Sequence, residues 1–376
     1  MLKLHIVAFD VPWPADYGGV IDVYYKLKAL NAKGVSVTLH CYSYGRKEAN
    51  ELSLICDQVY YYKRETGILK QFSNLPYNVT TRQSKELVQR LKADNAPILL
   101  EVLHTCWLMN EPELQGRNFI YRHSNIEHDY FRQLAHAERN LIKKIYLLLE
   151  AVRLRKFEQV ITKAKVILSV NQEDTKYFQH NFPLQETIYL PSFHPSESCT
   201  SLLGQGKYIL FHGNLSISEN YQAALWLIRE VFSKTSYPAI IAGKNPPPVL
   251  SEEITKHNSI QLINNPNDAE MNSLINNAHV HCLYTGQATG LKLKLLNVMY
   301  KGRFIVLNSH MTQGTGIQEN DSLFIVNRPE DFISKIETCM NRSFDTTELQ
   351  NRIAMCQPFN NESQANILME CIQKLQ

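Results

Sequence analysis

The sequence predicts an α/β protein made of two doubly wound domains with parallel sheets. Short apolar runs typical of buried strands alternate with helical segments in both halves of the chain. The length of 376 residues with 44% hydrophobic residues also suits two cores better than one. We therefore expect residues 1–190 and 207–356 to form the two domains. Residues 191–206, rich in Ser, Pro and Gly, are expected to form the linker between them.

Composition excludes several classes of protein. A formal charge of +3 is too small to indicate nucleic-acid binding. The eight cysteines form no C-x-x-C pair, which argues against a zinc site and a disulfide framework and fits a reducing compartment. The first apolar run is too short for a signal peptide, and no run of 18 apolar residues exists. We expect a cytoplasmic protein that acts as a monomer and does not span a membrane.

The first domain opens with a strand over residues 4–9 and a helix over residues 20–32, with an irregular loop between them. Gly18 and Gly19 close that loop, at the edge of the sheet where a ligand can approach the backbone. Their spacing lacks the G-x-G-x-x-G pattern of a dinucleotide site. A simple tight turn is the alternative.

Two later strands of this domain run into titratable residues. The strand 98–103 leads to His104, and the strand 118–121 leads to His123 and Glu127. Side chains at the carboxyl ends of parallel strands lie where such sheets bind ligands, so these three residues are candidates for binding an acceptor and transferring a proton. The alternatives are a histidine in ordinary packing and a polar cap on the next helix.

We expect one long helix over residues 130–163. Leu141, Ile145, Leu148 and Val152 share one stripe of it, and basic residues are frequent along it. Such a helix can rest on an anionic membrane, but the interspersed glutamates also fit an ordinary solvated face.

In the second domain, a strand over residues 278–283 precedes a helix expected to begin near Gly290. Lys292 would then point toward the apolar side of the first turn, where an ammonium is costly unless an anion or water is near. Because a helix start offers unpaired N–H groups and a positive dipole end, this segment is a plausible phosphate cradle. Its residues are Thr289, Gly290, Leu291, Lys292 and Lys294. The alternative is an amphipathic surface helix with solvated lysines.

The stretch A-T-G-L-K-L-K-L-L-N-V-M-Y-K-G-R-F-I-V-L resembles the motif E-G-F-G-x-x-x-x-E-A-M-A-x-G-x-P-V-V of retaining glycosyltransferases of family 4. Thr289 and Asn297 stand where the motif has its two glutamates, which in the family contact the donor sugar and the ribose. Lys292 and Lys294 resemble a branch with a G-x-K-x-K version. The resemblance implies the GT-B fold, with two Rossmann-like domains facing a central cleft and a last helix, within residues 357–376, that crosses back to the first domain.

Two more turns resemble the same family. H-G-N-L, with Gly213 and Asn214, stands at the place of V-G-R-L, and A-G-K-N-P, with Gly243 and Lys244, at the place of A-G-x-G-P. The arginine that the family uses on the donor phosphates is Asn214 here. A diphosphate still requires positive charge, so the lysines are expected to replace that arginine.

The resemblance implies transfer of a sugar from a nucleotide-sugar to a hydroxyl of a glycan or a lipid-linked glycan, with retention of configuration and without a metal or other cofactor. Gly18 and Gly19 would border the cleft, and His104, with His123 and Glu127, would orient donor sugar and acceptor. Two alternatives stay open: a sugar-nucleotide epimerase, and a nucleotide-sugar-binding protein without catalysis, which the absence of the two glutamates favours.

Overall fold

The computed structural model describes residues 1–138, 140–286 and 292–376. The chain forms two compact units, of which unit 1 comprises Met1–Phe193 and Asn361–Gln376, and unit 2 comprises His194–Asn360. Each unit contains one parallel sheet with helices between successive strands. The predicted α/β class with two parallel sheets is confirmed.

The sheet of unit 1 has seven parallel strands. They are β1 (Lys3–Ala8), β2 (Ser36–Ser43), β3 (Gln58–Lys63), β4 (Ile98–Glu101), β5 (Phe119–Arg122), β6 (Val166–Ser169) and β7 (Glu186–Tyr189). Their order is β3-β2-β1-β4-β5-β6-β7, so the direction of winding reverses between β1 and β4. Strands β4, β5 and β6 are buried along their whole length, as is typical of parallel strands covered on both faces.

Helices connect these strands. They are α1 (Gly18–Ala32), α2 (Tyr77–Thr80), α3 (Lys85–Leu91), α4 (Glu127–Ala137), α5 (Leu141–Phe157) and α6 (Gln172–Asn181). A 3-10 helix over Leu103–Asn110 follows β4 directly. Asn171 caps α6: its side chain accepts hydrogen bonds from the amides of Glu173 and Asp174.

The single helix predicted over residues 130–163 is wrong, because α4 and α5 are separate helices. Glu138 has an extended backbone that ends α4. The side chain of Asn140 then caps α5 by accepting hydrogen bonds from the amides of Ile142 (3.0 Å) and Lys143 (3.1 Å). A cap formed by Asn140 on α5 competes with continuation of α4 through the same residues. The apolar periodicity of the sequence did not reveal this competition.

The sheet of unit 2 has six parallel strands. They are β8 (Ile209–Asn214), β9 (Ala239–Lys244), β10 (Ile260–Asn264), β11 (Val280–Leu283), β12 (Phe304–Leu307) and β13 (Leu323–Ile325). Their order is β10-β9-β8-β11-β12-β13, so the winding reverses between β8 and β11.

The helices of unit 2 begin with α7, which follows β8. They are α7 (Ser218–Glu230), α8 (Pro248–Ile254), α9 (Asp268–Asn277), α10 (Leu293–Lys301), α11 (Ser309–Thr312), α12 (Pro329–Met340) and α13 (Thr346–Cys356). Two of them start with a reciprocal capping box, formed by Asn267 with Glu270 in α9 and by Asp345 with Glu348 in α13.

The last helix, α14 (Asn361–Leu375), belongs to unit 1. Its residues Leu368 and Ile372 are fully buried in the same apolar cluster as β1 and α1. Near its end, the side chain of Asn118 donates a hydrogen bond to the carbonyl of Leu375 (2.7 Å). Packing therefore attaches this helix to the sheet that the chain began with.

The predicted linker, residues 191–206, is irregular but partly packed. Its first three residues lie in unit 1 and the others in unit 2. Phe193 and His194 are both buried, and a ring nitrogen of His194 lies 2.9 Å from the carbonyl oxygen of Phe359. The linker is therefore packed at residues 191–194, whereas most of residues 195–206 are exposed.

Among the helices of the described residues, none combines the length and the apolar composition that crossing a lipid bilayer requires.

A buried charge cluster joins β4, β5, α1 and the chain that leaves β7. The guanidinium of Arg122 donates to both carboxylate oxygens of Asp22 (3.2 and 3.1 Å), and also to the carbonyls of Leu190 and Pro191. Lys26 donates to Asp22 (3.2 Å) and to Glu101 (2.6 Å). Burial by itself would raise the pKa of Asp22, but the two cations outweigh it and lower that pKa to about 2.

We expect Arg122→Met to destabilise unit 1 by about 3–5 kcal/mol, because it leaves buried acceptors without their donor. Urea unfolding in a Trp226→Phe background measures this, since the remaining tryptophans, Trp13 and Trp107, both lie in unit 1. The matched control is Arg132→Met. Arg132 forms a surface pair with Asp129 (3.0 Å), and its removal should cost less than about 1 kcal/mol. Equal losses from the two variants would contradict a structural role for the cluster.

Candidate functional site

In unit 2, the reversal of winding between β8 and β11 marks the place where open parallel sheets bind ligands. The chain leaves β8 toward α7, and it leaves β11 toward α10. Lys292 and Lys294 lie at the start of α10. Of the other residues predicted for the phosphate cradle, Thr289, Gly290 and Leu291 lie outside the described residues.

The start of α10 differs from the prediction. The helix begins at Leu293 and not near Gly290, and Lys292 precedes it with φ −83° and ψ 100°. Lys292 therefore precedes the first turn of the helix. The extended backbone directs this side chain toward α7.

Lys292 forms an ion pair with Glu219. Its ammonium lies 3.2 Å from a carboxylate oxygen of Glu219, and both side chains are largely buried. The hydroxyl of Thr285 donates a hydrogen bond to the same oxygen. Glu219 lies in the first turn of α7, so this pair connects the two helices that flank the reversal point.

Lys294 lies deeper than Lys292. Its ammonium donates a hydrogen bond to the side-chain oxygen of Asn220 (2.9 Å) and lies 5.3 Å from the ring centre of Phe211. Burial lowers the pKa of Lys294 to about 8, although Glu219 acts in the opposite direction. An ammonium with a neutral partner in such surroundings is poorly compensated, which favours binding of an anion.

The lysines reach the loop in which the resembling family carries its own cations. Asn220, the partner of Lys294, donates through its amide nitrogen to the carbonyl of Asn214 (2.9 Å). Asn214 in turn accepts hydrogen bonds from the amide (3.1 Å) and hydroxyl (2.7 Å) of Ser216. The loop is therefore ordered by its own amides and hydroxyls, and the positive charge comes from α10.

Asn297 lies one turn after Lys294 on α10. Its side-chain oxygen is buried and has no hydrogen-bond partner among the described residues. A buried amide oxygen without a donor costs free energy, so the position suits a ligand that supplies a hydroxyl.

The glycines predicted to contact the ligand have different surroundings. A Cβ at Gly243 would lie 1.8 Å from the carbonyl oxygen of Gly213, so the pairing of β9 with β8 already requires glycine there. A Cβ at Gly213 would lie 3.3 Å from the side chain of Asn220. Lys244 is exposed at the end of β9, and its carbonyl accepts a hydrogen bond from the amide of Ser216 (3.2 Å).

In unit 1, β4 pairs with β5, and the segments that follow these two strands bring His104 close to Glu127. A ring nitrogen of His104 lies 3.6 Å from a carboxylate oxygen of Glu127, and both side chains are largely buried. His104 follows Val102, whose φ of 60° is a conformation that β-branched residues rarely adopt. This turn carries the chain out of β4 and into the helical segment that holds His104.

Burial dominates the electrostatics of this pair. It raises the pKa of Glu127 to about 7, in spite of the opposing charge of Arg82, and it lowers the pKa of His104. Arg82 donates hydrogen bonds to the carbonyl of Phe9, at the carboxyl end of β1, and to the carbonyl of Asn78 in α2. A carboxyl with a pKa near neutrality is suited to accept or donate a proton.

His123 does not join this pair. Its side chain is fully buried, with one ring nitrogen 3.3 Å from a carboxylate oxygen of Asp174 and the ring 4.9 Å from that of Phe178. We expected His123 to act together with Glu127, but it contacts α6 instead, because the end of β5 points this ring into the core. A catalytic part for His123 stays a prediction.

Gly18 and Gly19 begin α1 at the carboxyl end of β1. Gly18 is exposed. A Cβ at Gly19 would lie 2.6 Å from the ring of Phe9, so a side chain at that position would require this ring to move.

Sequence reasoning missed Glu219, Asn220 and Arg82. Glu219 lies 73 positions from the lysine that it pairs with, and an acid in the first turn of a helix has an ordinary local explanation. The sequence indicated these residues only indirectly. Two lysines near an apolar helix face require partners. Glu219 and Asn220 lie in the loop and helix that resemble the phosphate-binding turn of the family.

No family model matches the chain. A protein of Klebsiella pneumoniae, described as an uncharacterized 44.6 kDa protein in the cps region, is 27% identical over 350 residues, which cover 87% of this chain and 88% of that protein.

Solved glycosyltransferase structures share the fold along the whole chain. HepE from Anabaena in complex with UDP and glucose is 14% identical, with full coverage of both chains and a TM-score of 0.66. A glycosyltransferase from Rickettsia africae is 13% identical, covering 100% of this chain and 98% of that one, with a TM-score of 0.68. The pneumococcal O-GlcNAc transferase GtfA in complex with UDP and GlcNAc is 9% identical, covering 100% and 99%, with a TM-score of 0.64. The chain therefore has the GT-B fold.

The raised pKa of Glu127 predicts how stability changes with pH. Because that pKa rises from 4.5 to about 7 on folding, the stabilisation from the protonated form is complete below pH 4.5 and is lost as the pH rises through about 7. Glu127→Gln should therefore leave the melting temperature nearly unchanged at about pH 5 and raise the stability at about pH 8 by up to about 3 kcal/mol.

Thermal unfolding at the two pH values measures this effect. Glu173→Gln, a substitution on the surface of α6, is the control and should show the pH dependence of the wild type. A Glu127→Gln variant less stable than the wild type at the higher pH would instead show an ionised carboxylate held by Arg82.

Proposed function

We propose that the chain is a glycosyltransferase that moves a sugar from a nucleotide-sugar donor to a hydroxyl of a glycan or lipid-linked glycan. Retention of configuration, a place in family 4 and independence from metal are parts of the proposal that rest on the motif resemblance. Unit 2 binds the donor, and unit 1 supplies the groups that handle the acceptor.

The observation that carries the proposal is the position of two ammonium groups at the reversal point of the unit 2 sheet. Lys292 directly precedes α10 and Lys294 lies in its first turn, and their ammonium groups contact Glu219 and Asn220 of α7. Residues at this point of an open parallel sheet bind phosphates in many nucleotide-binding proteins. The cations therefore stand where a diphosphate would bind, although the arginine of the family motif is absent.

These groups can support the chemistry of sugar transfer. Breaking the bond between the sugar and the diphosphate develops negative charge on the leaving oxygens, and a fixed cation in a partly buried site stabilises that charge more than water does. Lys294 can bind a phosphate oxygen without losing a charged partner. Lys292 must exchange Glu219 for phosphate, or share its ammonium between them.

Asn297 is assigned to a hydroxyl of the donor ribose. Its buried oxygen can accept one hydrogen bond and lacks a protein donor among the described residues. A neutral amide accepts a weaker hydrogen bond than a carboxylate, so the ribose would be held less firmly than by the glutamate of the family motif.

In unit 1, we assign proton transfer to Glu127, with His104 as its neighbour. A carboxyl with a pKa near 7 exists in both protonation states at neutral pH, so it can accept the proton of an attacking hydroxyl and release it again. The neutral imidazole of His104 can orient a hydroxyl by hydrogen bonding.

The comparisons favour UDP as the nucleotide and a polysaccharide as the product. The structures of HepE and GtfA contain UDP, and a further HepE structure contains UDP-glucose. The relative from Klebsiella pneumoniae lies in a cps region. We therefore propose a UDP-sugar donor and a role in building a surface polysaccharide.

Two alternatives make different predictions. A sugar-nucleotide epimerase would change the ring of its ligand without any acceptor. A binding protein without catalysis would be stabilised by a nucleotide-sugar but would release no nucleotide. The loss of the family glutamates at Thr289 and Asn297 is the observation that favours the second alternative.

A thermal-shift screen with UDP-, GDP-, ADP- and CMP-sugars tests the proposed function. We expect UDP-sugars to raise the melting temperature most, because binding to the folded state alone stabilises it. The stabilising sugar is then incubated with the protein and with glycan or lipid-linked acceptors, and released UDP and glycosylated product are measured. Stabilisation without product from any acceptor, or epimerisation in its absence, would favour one of the alternatives.

Substituting the lysines tests the diphosphate site. Lys292→Met and Lys294→Met should each weaken donor binding about 10- to 100-fold, the effect of losing a charged hydrogen bond. Lys294→Met should also stabilise the ligand-free protein at neutral pH, since it removes a poorly compensated buried charge.

Lys301→Met is the matched control on the same helix. The ammonium of Lys301 donates to the side chain of Asn272 (2.7 Å) in α9 and is not assigned to the donor. Its removal should change the donor Kd by less than about threefold, since it contributes only distant charge. Unchanged affinity in both Lys292→Met and Lys294→Met, measured by calorimetry, would reject the diphosphate site.

A further inference from the structure

Unit 1 concentrates exposed apolar side chains on one surface. Among the described residues, 19 large hydrophobic side chains are exposed, and nine of them lie on α5 and on the 3-10 helix Ile68–Phe72. We call these nine residues the apolar surface. They are Ile68, Leu69, Phe72, Leu141, Ile142, Ile145, Leu148, Leu149 and Val152. This clustering requires an explanation, whereas isolated exposed aliphatics do not.

The apolar residues of α5 form one continuous stripe. At 100° per residue, the six of them span about 120° of the helix circumference. The opposite side packs on the core through Ala151, Leu154 and Phe157, which are all buried. The helix is thus held to unit 1 by one apolar face and presents a second apolar face to solvent.

The segment Ile68–Phe72 lies beside the apolar stripe of α5. Arg153, at the edge of the stripe, donates to the carbonyl of Gln71 (3.1 Å) and to the carboxylate of Glu150 (2.6 Å). Glu150 also accepts a hydrogen bond from the amide of Tyr77 (2.8 Å). These bonds attach the segment to α5, so the two groups of apolar side chains are neighbours on one rigid support.

Positive charge borders the apolar stripe of α5. At 100° per residue, Arg153, Arg155 and Lys156 lie within or next to the stripe, whereas Lys143 lies about 160° from its centre. Helix α5 has five basic residues and one acidic residue, an excess larger than the formal +3 of the whole chain. The one acid, Glu150, is buried and paired with Arg153. The outward-facing charges of the helix are therefore all positive. The basic residues are Lys143, Lys144, Arg153, Arg155 and Lys156.

A small cavity with basic groups adjoins the same surface. It has a volume of about 380 Å³, and Arg153, Lys156 and Lys163 contribute to its lining. A cavity that begins where the apolar stripe ends, and that presents three cations, is complementary to an anionic headgroup beside acyl chains.

We propose that the apolar surface docks unit 1 on a lipid bilayer that contains anionic lipids. In this arrangement α5 lies parallel to the bilayer, with its aliphatic side chains at the boundary between headgroups and acyl chains and its lysines and arginines among the phosphates. Aliphatic side chains bordered by cations are the composition that such helices require.

A second copy of the chain fits this surface less well. A twofold dimer would place the surface against itself, and the basic residues of the two copies would then face each other. Like charges brought together during burial oppose association, whereas phosphates of a bilayer neutralise them. The charge of the surface thus selects the bilayer as the occupant.

Vesicle sedimentation with the full chain tests the proposal. We expect binding to vesicles of phosphatidylcholine with about 30 mol% phosphatidylglycerol, and weak binding to phosphatidylcholine alone. Raising the salt from about 50 mM to about 500 mM should reduce the binding, because screening shortens the range of the charge attraction.

Two variants separate the apolar from the charge contribution. The double variant Ile142→Ser/Leu149→Ser should lower the vesicle partition coefficient about tenfold or more. The triple variant Lys144→Gln/Arg155→Gln/Lys156→Gln should reduce the preference for anionic vesicles. Leu54→Ser is the matched control, since Leu54 and Ile142 are both 81% exposed but Leu54 lies outside the apolar surface.

Absence of binding to the anionic vesicles at the lower salt would overturn the proposal. So would wild-type binding by the Ile142→Ser/Leu149→Ser variant. Self-association of the wild type without lipid, measured by light scattering and abolished in that variant, would identify a second copy as the occupant instead. Each variant should keep the wild-type affinity for nucleotide-sugar, so this test fails or succeeds independently of the transferase function.

Discussion

A charge buried at the carboxyl end of a parallel sheet requires an opposite charge or hydrogen bonds as compensation. This constraint applies in both units. In unit 1, Arg122 is fully compensated by Asp22 and by the carbonyls of Leu190 and Pro191. Among the described residues of unit 2, Lys294 donates a hydrogen bond to the neutral amide of Asn220, and its pKa is lowered. The surroundings of Arg122 are typical of a structural ion cluster. Around Lys294, part of the free-energy cost of burying the charge is left uncompensated, and a bound anion would offset it.

In the proposed diphosphate site of unit 2, the positive charge would come from residues other than those of the resembling motif. The loop after β8 holds Asn214 where the resembling motif has an arginine, and the positive charge comes instead from α10, across the reversal point. Binding of a phosphate depends on the electrostatic potential at its oxygens. A cation on a neighbouring helix can provide that potential as well as a cation in the loop. Glu219 moderates this potential, because it leaves one net positive charge on the trio that it forms with Lys292 and Lys294.

In unit 1, the residues assigned to sugar transfer and the residues assigned to the bilayer depend on different physical effects. Glu127 and His104 are buried, and their protonation is controlled by desolvation. The apolar surface of α5 is exposed, and its contribution depends on removing aliphatic area from water. Because α4 and α5 are separate helices, Glu127 at the start of one and Ile142 at the start of the other could take these two proposed roles on different helices.

The sequence alone determined the α/β class, because apolar periodicity is a local property, and it singled out Lys292 and Lys294 as candidates for binding a phosphate. Only the tertiary structure decided which distant residues meet. It paired Lys292 with Glu219 and His104 with Glu127, buried His123 against Phe178, ended a helix before Asn140, and left the stripe of α5 uncovered. These outcomes depend on strand order and on which helix faces find a neighbour. Both are set by contacts between residues far apart in the chain, which no local pattern records.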